Sequence, residues 1–216
     1  MELILIILTL IIVCLFILLK CGILTKKAPT ISEDNFESID PLAIDIHDID
    51  KMVDGSEFEM YLYRLFDALG YKEVYKTVGS RDFGADLVFT DRSGARNVVQ
   101  AKRYSIDNPV GLGGVQEVYS SMRFYKAKKS IVIATTTYTD SCEKLAGYNG
   151  VKLLDRSDLI SIIEEFKQGN AEKAKDIIEA EPRVILDSWS QYMNTNTDIK
   201  KDKKAEKLLR DTKLFN

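Results

Sequence analysis

The hydrophobic pattern changes character twice along the chain. Residues 3–19 are an almost continuous run of Leu, Ile, Val and Phe, broken by Thr9 and Cys14. Cys21, Gly22, Ile23 and Leu24 extend it beyond Lys20. At about 1.5 Å per residue, such a run reaches across a hydrocarbon core of roughly 30 Å, with the lysine snorkelling toward one face. Glu2, not a basic cluster, precedes it, and no small-residue cleavage site follows. A retained transmembrane helix over residues 1–24 is therefore expected rather than a removed signal. Residues 25–47 have no sustained period; Pro29, Pro41 and an acidic surplus read as a linker.

From residue 48 regular periods set in. Phe58, Tyr61, Leu62, Leu65, Phe66 and Leu69 recur at helical spacing and Gly70 ends the run, which predicts a helix over 55–69. Three short β-type runs follow at 73–78, 85–90 and 97–104. Asp91, Arg92, Ser93 and Gly94 between the last two predict a hairpin turn. Further on, the pattern predicts a helix from Gly111 to about 126, a β-branched strand over 130–136 and a helix over 139–148. A strand over 151–155 and a helix to residue 166 complete it. Residues 48–168 thus read as one α/β domain in the order α-β-β-β-α-β-α-β-α.

Residues 169–216 form a C-terminal helical extension. A helix over 171–180 stops before Pro182. Ile185, Leu186, Trp189, Tyr192 and Met193 then make an apolar stripe of the kind that packs against a neighbour. A last helix carries Lys200, Lys201, Lys203, Lys204 and Lys207. Its lysines read as a solvated face or as a contact for anionic lipid or nucleic-acid phosphate.

Charge narrows the choices. The chain carries a net −3, with two Lys against seven acids in residues 25–50 and 17 bases against 16 acids in residues 51–167. That excludes a strongly basic nucleic-acid coat protein and a wholly disordered chain. Three cysteines exclude a disulfide framework. The single histidine, His47, excludes a His-rich zinc site and any Ser-His or Cys-His mechanism that does not use that linker residue. Lys20, Lys26 and Lys27 flank the C-terminal end of the apolar run, so the positive-inside rule predicts a single-pass protein of the cell membrane with residues 25–216 in the cytoplasm.

The chemistry concentrates in residues 81–104, RDFGADLVFTDRSGARNVVQAKRY. Gln100 and Lys102 are two apart on a predicted strand and project from one face, and the hairpin brings Asp86 alongside. A carboxylate, an amide oxygen and a lysine on one face are parts of a phosphodiester-hydrolysing site. Asp86 would be the anionic ligand of Mg²⁺, for which Mn²⁺ can substitute. Gln100 and the Ala101 carbonyl would add neutral oxygens. Lys102 would hold or help deprotonate the attacking water and offset charge in the transition state. Taken alone, the same three residues also fit an ordinary edge strand, with Asp86 as a turn residue.

The longer pattern is more specific. GSEFE at 55–59, LGY at 69–71, RDFGADL at 81–87, VVQAKRY at 98–104, VQEV at 115–118, ATT at 134–136 and LLD at 153–155 occur in this order. Together residues 49–166 resemble the Mrr-type restriction endonuclease-like family, a branch of the PD-(D/E)xK nuclease superfamily. The resemblance implies a restriction-endonuclease-like core, a mixed sheet flanked by helices in the order α-β-β-β-α-β. It implies a metal-binding Asp86, Gln100 in place of the superfamily's second acid, a catalytic Lys102, and Glu59 completing the metal site from the first helix. At about 100° per residue Glu59 falls beside the buried stripe, which leaves it open as a site group or a surface carboxylate. Arg81, Arg103 and Gln116 become candidates for contact with DNA.

Two departures bear on function. Where the family's best-known members carry a DNA-reading domain, this chain has an apolar run and an acidic linker, so a preference for modified bases does not carry over. The near-neutral core makes DNA binding depend on local clusters: Arg81, Lys102 with Arg103, and Arg123 with Lys126, Lys128 and Lys129. Two functions fit. One is a membrane-tethered, Mg²⁺-dependent DNA endonuclease, acting as a homodimer if it pairs as many relatives do, and suited to restricting foreign DNA. The other is an inactive module of the same fold, a membrane-anchored platform for DNA or protein.

Overall fold

The sheet is organised around its central strand, Arg96–Lys102. The computed structural model describes residues 39–79, 83–185 and 202–213. The apolar run at 3–24, Arg81 and the Trp189 stripe lie outside the described residues, and among the described residues no helix is long and apolar enough to cross a membrane. The described residues from Asp40 onward belong to one compact unit.

Its elements are α1 (Ile46–Lys51), α2 (Gly55–Ala68), β1 (Lys72–Lys76), β2 (Leu87–Thr90), β3 (Arg96–Lys102), α3 (Leu112–Tyr125) and β4 (Lys129–Ala134). After them come α4 (Asp140–Asn149), β5 (Lys152–Leu154), α5 (Arg156–Lys167), α6 (Ala171–Glu179) and α7 (Lys203–Lys213). The five strands lie in the order β1-β2-β3-β4-β5. β1, β2 and β3 pair antiparallel, whereas β3–β4 and β4–β5 are parallel, so the sheet is mixed. A parallel neighbour needs a long crossover, and α3 supplies it between β3 and β4.

Cross-strand partners share a face. Val88 and Val98 are partners, and with Val132 they pack on Val115 and Val118 of α3 and on Cys142 and Ala146 of α4. Leu87, Phe89 and Val99 occupy the opposite face, which α2 covers. There Phe66 meets Phe89 edge-on with centroids 5.0 Å apart, and Tyr71 lies 4.6 Å from Phe89. Phe58, Tyr61, Leu62, Leu65 and Phe66 of α2 are all buried, the stripe expected from their spacing.

Between residues 55 and 180 the predicted elements form with ends moved by at most two residues. β3 stops at Lys102 rather than 104 because Tyr104 leaves the ladder for a side chain. Its N–H donates to Thr135 Oγ1 at 2.9 Å and its carbonyl accepts from the same hydroxyl at 2.7 Å. One helix was not expected. α1 lies across the end of the stretch read as linker, is too short to show a period, and is held by a capping box. Asp45 Oδ1 accepts from His47 N at 2.8 Å and Asp48 N at 3.1 Å, while Asp48 Oδ2 accepts from Asp45 N at 3.1 Å. Arg156 then grips Asp50 with a fork of 2.8 and 2.7 Å, and this holds the Asp50 carboxyl below the usual carboxylate range.

The extension begins as part of the same packing. α6 lies on α5 and buries Ala174 and Ile178. Arg92, at the β2–β3 turn, reaches Glu172, Asp176 and Glu179 of α6 at 3.1, 2.7 and 3.0 Å.

Candidate active site

The β2–β3 hairpin sets the register of the site. Asp91 Oδ1 closes its turn by accepting from Ser93 N and Ala95 N, both at 2.9 Å, and Gly94 takes φ +82°. Leu87 then stands opposite Val99, and the same register extended by one places Asp86 opposite Gln100. Asp86 N donates to Val99 O at 2.8 Å, so the backbone of the aspartate is anchored to β3.

The structure brings three of the expected groups together. Asp86 Oδ2 accepts from Gln100 Nε2 at 2.5 Å and from Ala101 N at 2.7 Å. Asp86 and Gln100 are both buried, at 6% and 7% exposure, so neither is an ordinary edge-strand side chain. Half a turn of the Gln100 amide exchanges its nitrogen for its oxygen at the same position. The pair can therefore present an NH₂ to the carboxylate or an oxygen to a cation beside it. Lys102, two residues on, shares the face of Gln100, and its Nζ lies 2.5 Å from Glu117 Oε2 on α3.

Glu117 is the residue that reading the sequence missed as a site group. Its signal was present: VQEV is among the stretches that carry the resemblance, and Gly114, three residues earlier, lies beside the Lys102 stem. A Cβ on Gly114 would sit 3.7 Å from Lys102 Cε. Gly84, with φ +93°, brings the loop before Asp86 against α3. A Cβ there would lie 2.4 Å from the Glu117 carbonyl oxygen, an approach no side chain permits.

The other candidates stand elsewhere. Glu59 Oε2 is 2.6 Å from Lys76 Nζ. Lys76, Leu87 and Val99 are aligned across the sheet and share a face, the one opposite to Gln100 and Lys102. Arg103 points back to the α1–α2 junction, where it donates to the carbonyls of Asp50 and Val53 at 3.5 and 3.4 Å. Gln116 is exposed on α3. Among the described residues no three His, Cys, Asp or Glu side chains cluster as metal ligands.

The donor set can nonetheless serve a hard cation. It offers one carboxylate, one amide oxygen and one carbonyl, all oxygen, and Mg²⁺ commonly keeps several waters and takes its other ligands from substrate phosphate.

A family model described as a restriction endonuclease, Mrr_cat, matches residues 49–163. The type IV methyl-directed restriction enzyme EcoKMrr of Escherichia coli (strain K12) is 31% identical over 124 residues, 54% of this chain and 40% of that protein. The chain thus spans about two fifths of the length of this curated relative. Among solved structures, the DNA modification-dependent restriction endonuclease AspBHI matches with TM-score 0.44 and 18% identity, covering 62% of this chain and 38% of that one. The MspJI restriction endonuclease in complex with a 27-mer oligonucleotide matches with TM-score 0.40 and 17% identity, covering 69% and 38%. With more than half of its residues matched by that family model, the chain belongs to the Mrr-type restriction endonuclease family.

Proposed function

We propose that this protein is a metal-dependent endonuclease that hydrolyses DNA phosphodiester bonds, tethered to the cell membrane by residues 3–24 with its catalytic domain in the cytoplasm. The observation that carries this reading is the buried Asp86–Gln100 contact with Lys102 on the same face of β3. Asp86, Gln100 and the Ala101 carbonyl would hold Mg²⁺ or Mn²⁺. When bound, the cation polarises the scissile phosphate and lowers the cost of deprotonating a water. Lys102 Nζ holds that water and offsets the negative charge that builds on the phosphate. Glu117 orients Nζ before substrate arrives. Gln100 fixes the Asp86 carboxylate in the absence of the cation, so the acid needs no rearrangement of the backbone to bind it. A role in restricting incoming DNA at the membrane fits the tether and the family.

The test is a plasmid-nicking assay with the full chain in detergent micelles, with Mg²⁺ and with EDTA. Wild type should nick only with Mg²⁺, and Lys102→Ala and Asp86→Ala should lose at least about a hundredfold, the usual scale for a charge-stabilising group. Equal cutting by wild type and Lys102→Ala would defeat the assignment.

One observation favours a second reading. Asp86 is the one carboxylate of the cation-binding set, because Glu117 is engaged by Lys102 and Glu59 by Lys76, which suits a platform that binds DNA or protein without cutting. Calorimetry separates the two. Absence of heat on Mg²⁺ titration, with DNA bound equally well in EDTA, would establish the platform.

A further inference from the structure

Phe83 and Phe124 form a stacked pair on the surface, with ring centroids 4.0 Å apart and planes at 30°. Phe83 is 53% exposed and Phe124 59%, although aromatic rings that pack together usually do so to leave water. Tyr125 braces Phe124 edge-on at 4.9 Å. The backbone fixes the pair in place. Phe83 takes φ +51°, a conformation uncommon for a bulky residue, and the adjoining Gly84 is pressed against α3 at Glu117.

Its position relates it to the candidate site. Phe83 lies three residues before Asp86. Phe124 lies seven residues, about two helical turns, after Glu117, and so falls on the same face of α3 about 10 Å along the axis. That distance matches about three stacked base steps of 3.4 Å. Arg123 adjoins Phe124 in the chain and Lys126 and Lys128 follow within four residues; all three are exposed, and among the described residues no carboxylate pairs with them.

We infer that the Phe83–Phe124 pair is a stacking platform for an unpaired nucleobase of a DNA strand, with Arg123, Lys126 and Lys128 taking the neighbouring phosphates. This rests on the DNA substrate proposed above and adds where the strand runs and that a base is unstacked there. Aromatic rings interleaved with such cations suit single-stranded nucleic acid, because a base inside a duplex has no free π-face to offer. A second copy of the chain fits poorly. Pairing this patch with itself across a two-fold axis would bring both sets of cations face to face.

The experiment uses the full chain in detergent micelles carrying Lys102→Ala, so that no strand is cut, and a single-stranded 15-mer with 2-aminopurine placed at successive positions. Quenching of the probe at one or two positions is expected, since stacking on an aromatic ring quenches its emission. Phe124→Ala and Phe83→Ala should remove the quench and weaken binding about 5- to 150-fold each. Phe124→Trp should keep both, which a loss of folding would not explain. Converting Arg123, Lys126 and Lys128 to Gln should reduce the salt slope by about 0.7 for each phosphate that is no longer neutralised. Unchanged quench and affinity in Phe124→Ala would overturn the inference. So would a change from dimer to monomer in sedimentation with the quench intact. Nicking by the same Phe variants with Lys102 restored is measured alongside. Loss of all cutting by wild type with the quench retained would remove the nuclease reading and leave the platform, whereas normal cutting without any quench would do the reverse.

Discussion

At the scale of single residues, the contact between Asp86 and Gln100 makes the sharpest claim. Replacing Gln100 by Glu puts a second carboxylate where Nε2 now lies 2.5 Å from Asp86 Oδ2, in a buried position. Without a cation, the missing donor and the like charge should cost about 1–3 kcal/mol. With Mg²⁺ the added charge becomes a ligand, and binding to the folded state alone restores stability. Differential scanning fluorimetry should therefore show a lower Tm for Gln100→Glu than for wild type in EDTA, and a larger rise on adding Mg²⁺. Equal rises would place the cation away from Gln100. Gly84 gives a second, metal-independent outcome. Ala at that position meets both φ +93° and a backbone oxygen 2.4 Å from its Cβ, so Gly84→Ala should cost about 1–3 kcal/mol in denaturant unfolding. Period-2 alternation was enough to foresee Gln100 and Lys102 on one face, and a tight turn to foresee Asp86 beside them. Glu117 was not legible in that way, because its pairing with Lys102 depends on how α3 docks on the sheet, which no local period encodes. Glu59 shows the converse. Its place at the edge of the buried stripe was readable, but its partner Lys76 was set by which face of β1 the helix covers.

Elements depend on a few polar anchors, and their strengths differ. Asp91 is buried at the β2–β3 turn. Burial works against its charge, but hydrogen bonds from Ser93, Asn97 and Ala95, with Lys129 nearby, prevail and hold its carboxyl at about 2. A depressed acid stabilises the fold above its unfolded value near 3.8 and gives that up as pH falls through about 2. At roughly 1.4 kcal/mol per unit, this contributes about 2–3 kcal/mol at neutral pH. Urea unfolding at pH 7, 4 and 2.5 should show wild type losing stability over the lower interval. Asp91→Asn should be weaker at pH 7 and shed less as the acid titrates. The α6 anchors invite the opposite weighting. Arg92 meets three carboxylates, but the groups are partly or largely exposed, and such pairs are typically worth below 1 kcal/mol each. Ile178 is buried at 1% exposure, and its truncation should cost about 2–5 kcal/mol. Hydrogen exchange should accordingly show α6 opening more in Ile178→Ala than in Arg92→Ala. The sequence pattern announced α6 as a helix because its apolar positions recur; it did not announce the docking, since Arg92 is 80 or more residues from its partners. α1 escaped notice for the opposite reason, being held by a local cap rather than by a hydrophobic period.

For the whole molecule, two features could bring the domain to a membrane, and they obey different physics. Residues 3–24 would insert by the hydrophobic effect, which added salt does not weaken. The lysines of α7 would act by attraction to anionic lipid, which is screened over about 3 Å at 1 M salt. The domain between residues 51 and 167 carries 17 bases and 16 acids and so supplies no net attraction of its own. Washing membranes that contain the full chain with 1 M NaCl should therefore leave it bound, while a variant lacking residues 1–24 should be released. Protease added from the cytoplasmic side should cut the linker at 25–38 if the lysines at 20, 26 and 27 have set the orientation. Release of the full chain by salt would assign the contact to α7 and remove the tether from the proposed function. Retention of the shortened variant at 1 M salt would have the same consequence, because the apolar run would then be unnecessary. Cutting of plasmid by that shortened variant, released and soluble, would show that the tether decides where DNA is met and that the chemistry of Asp86 and Lys102 does not require it.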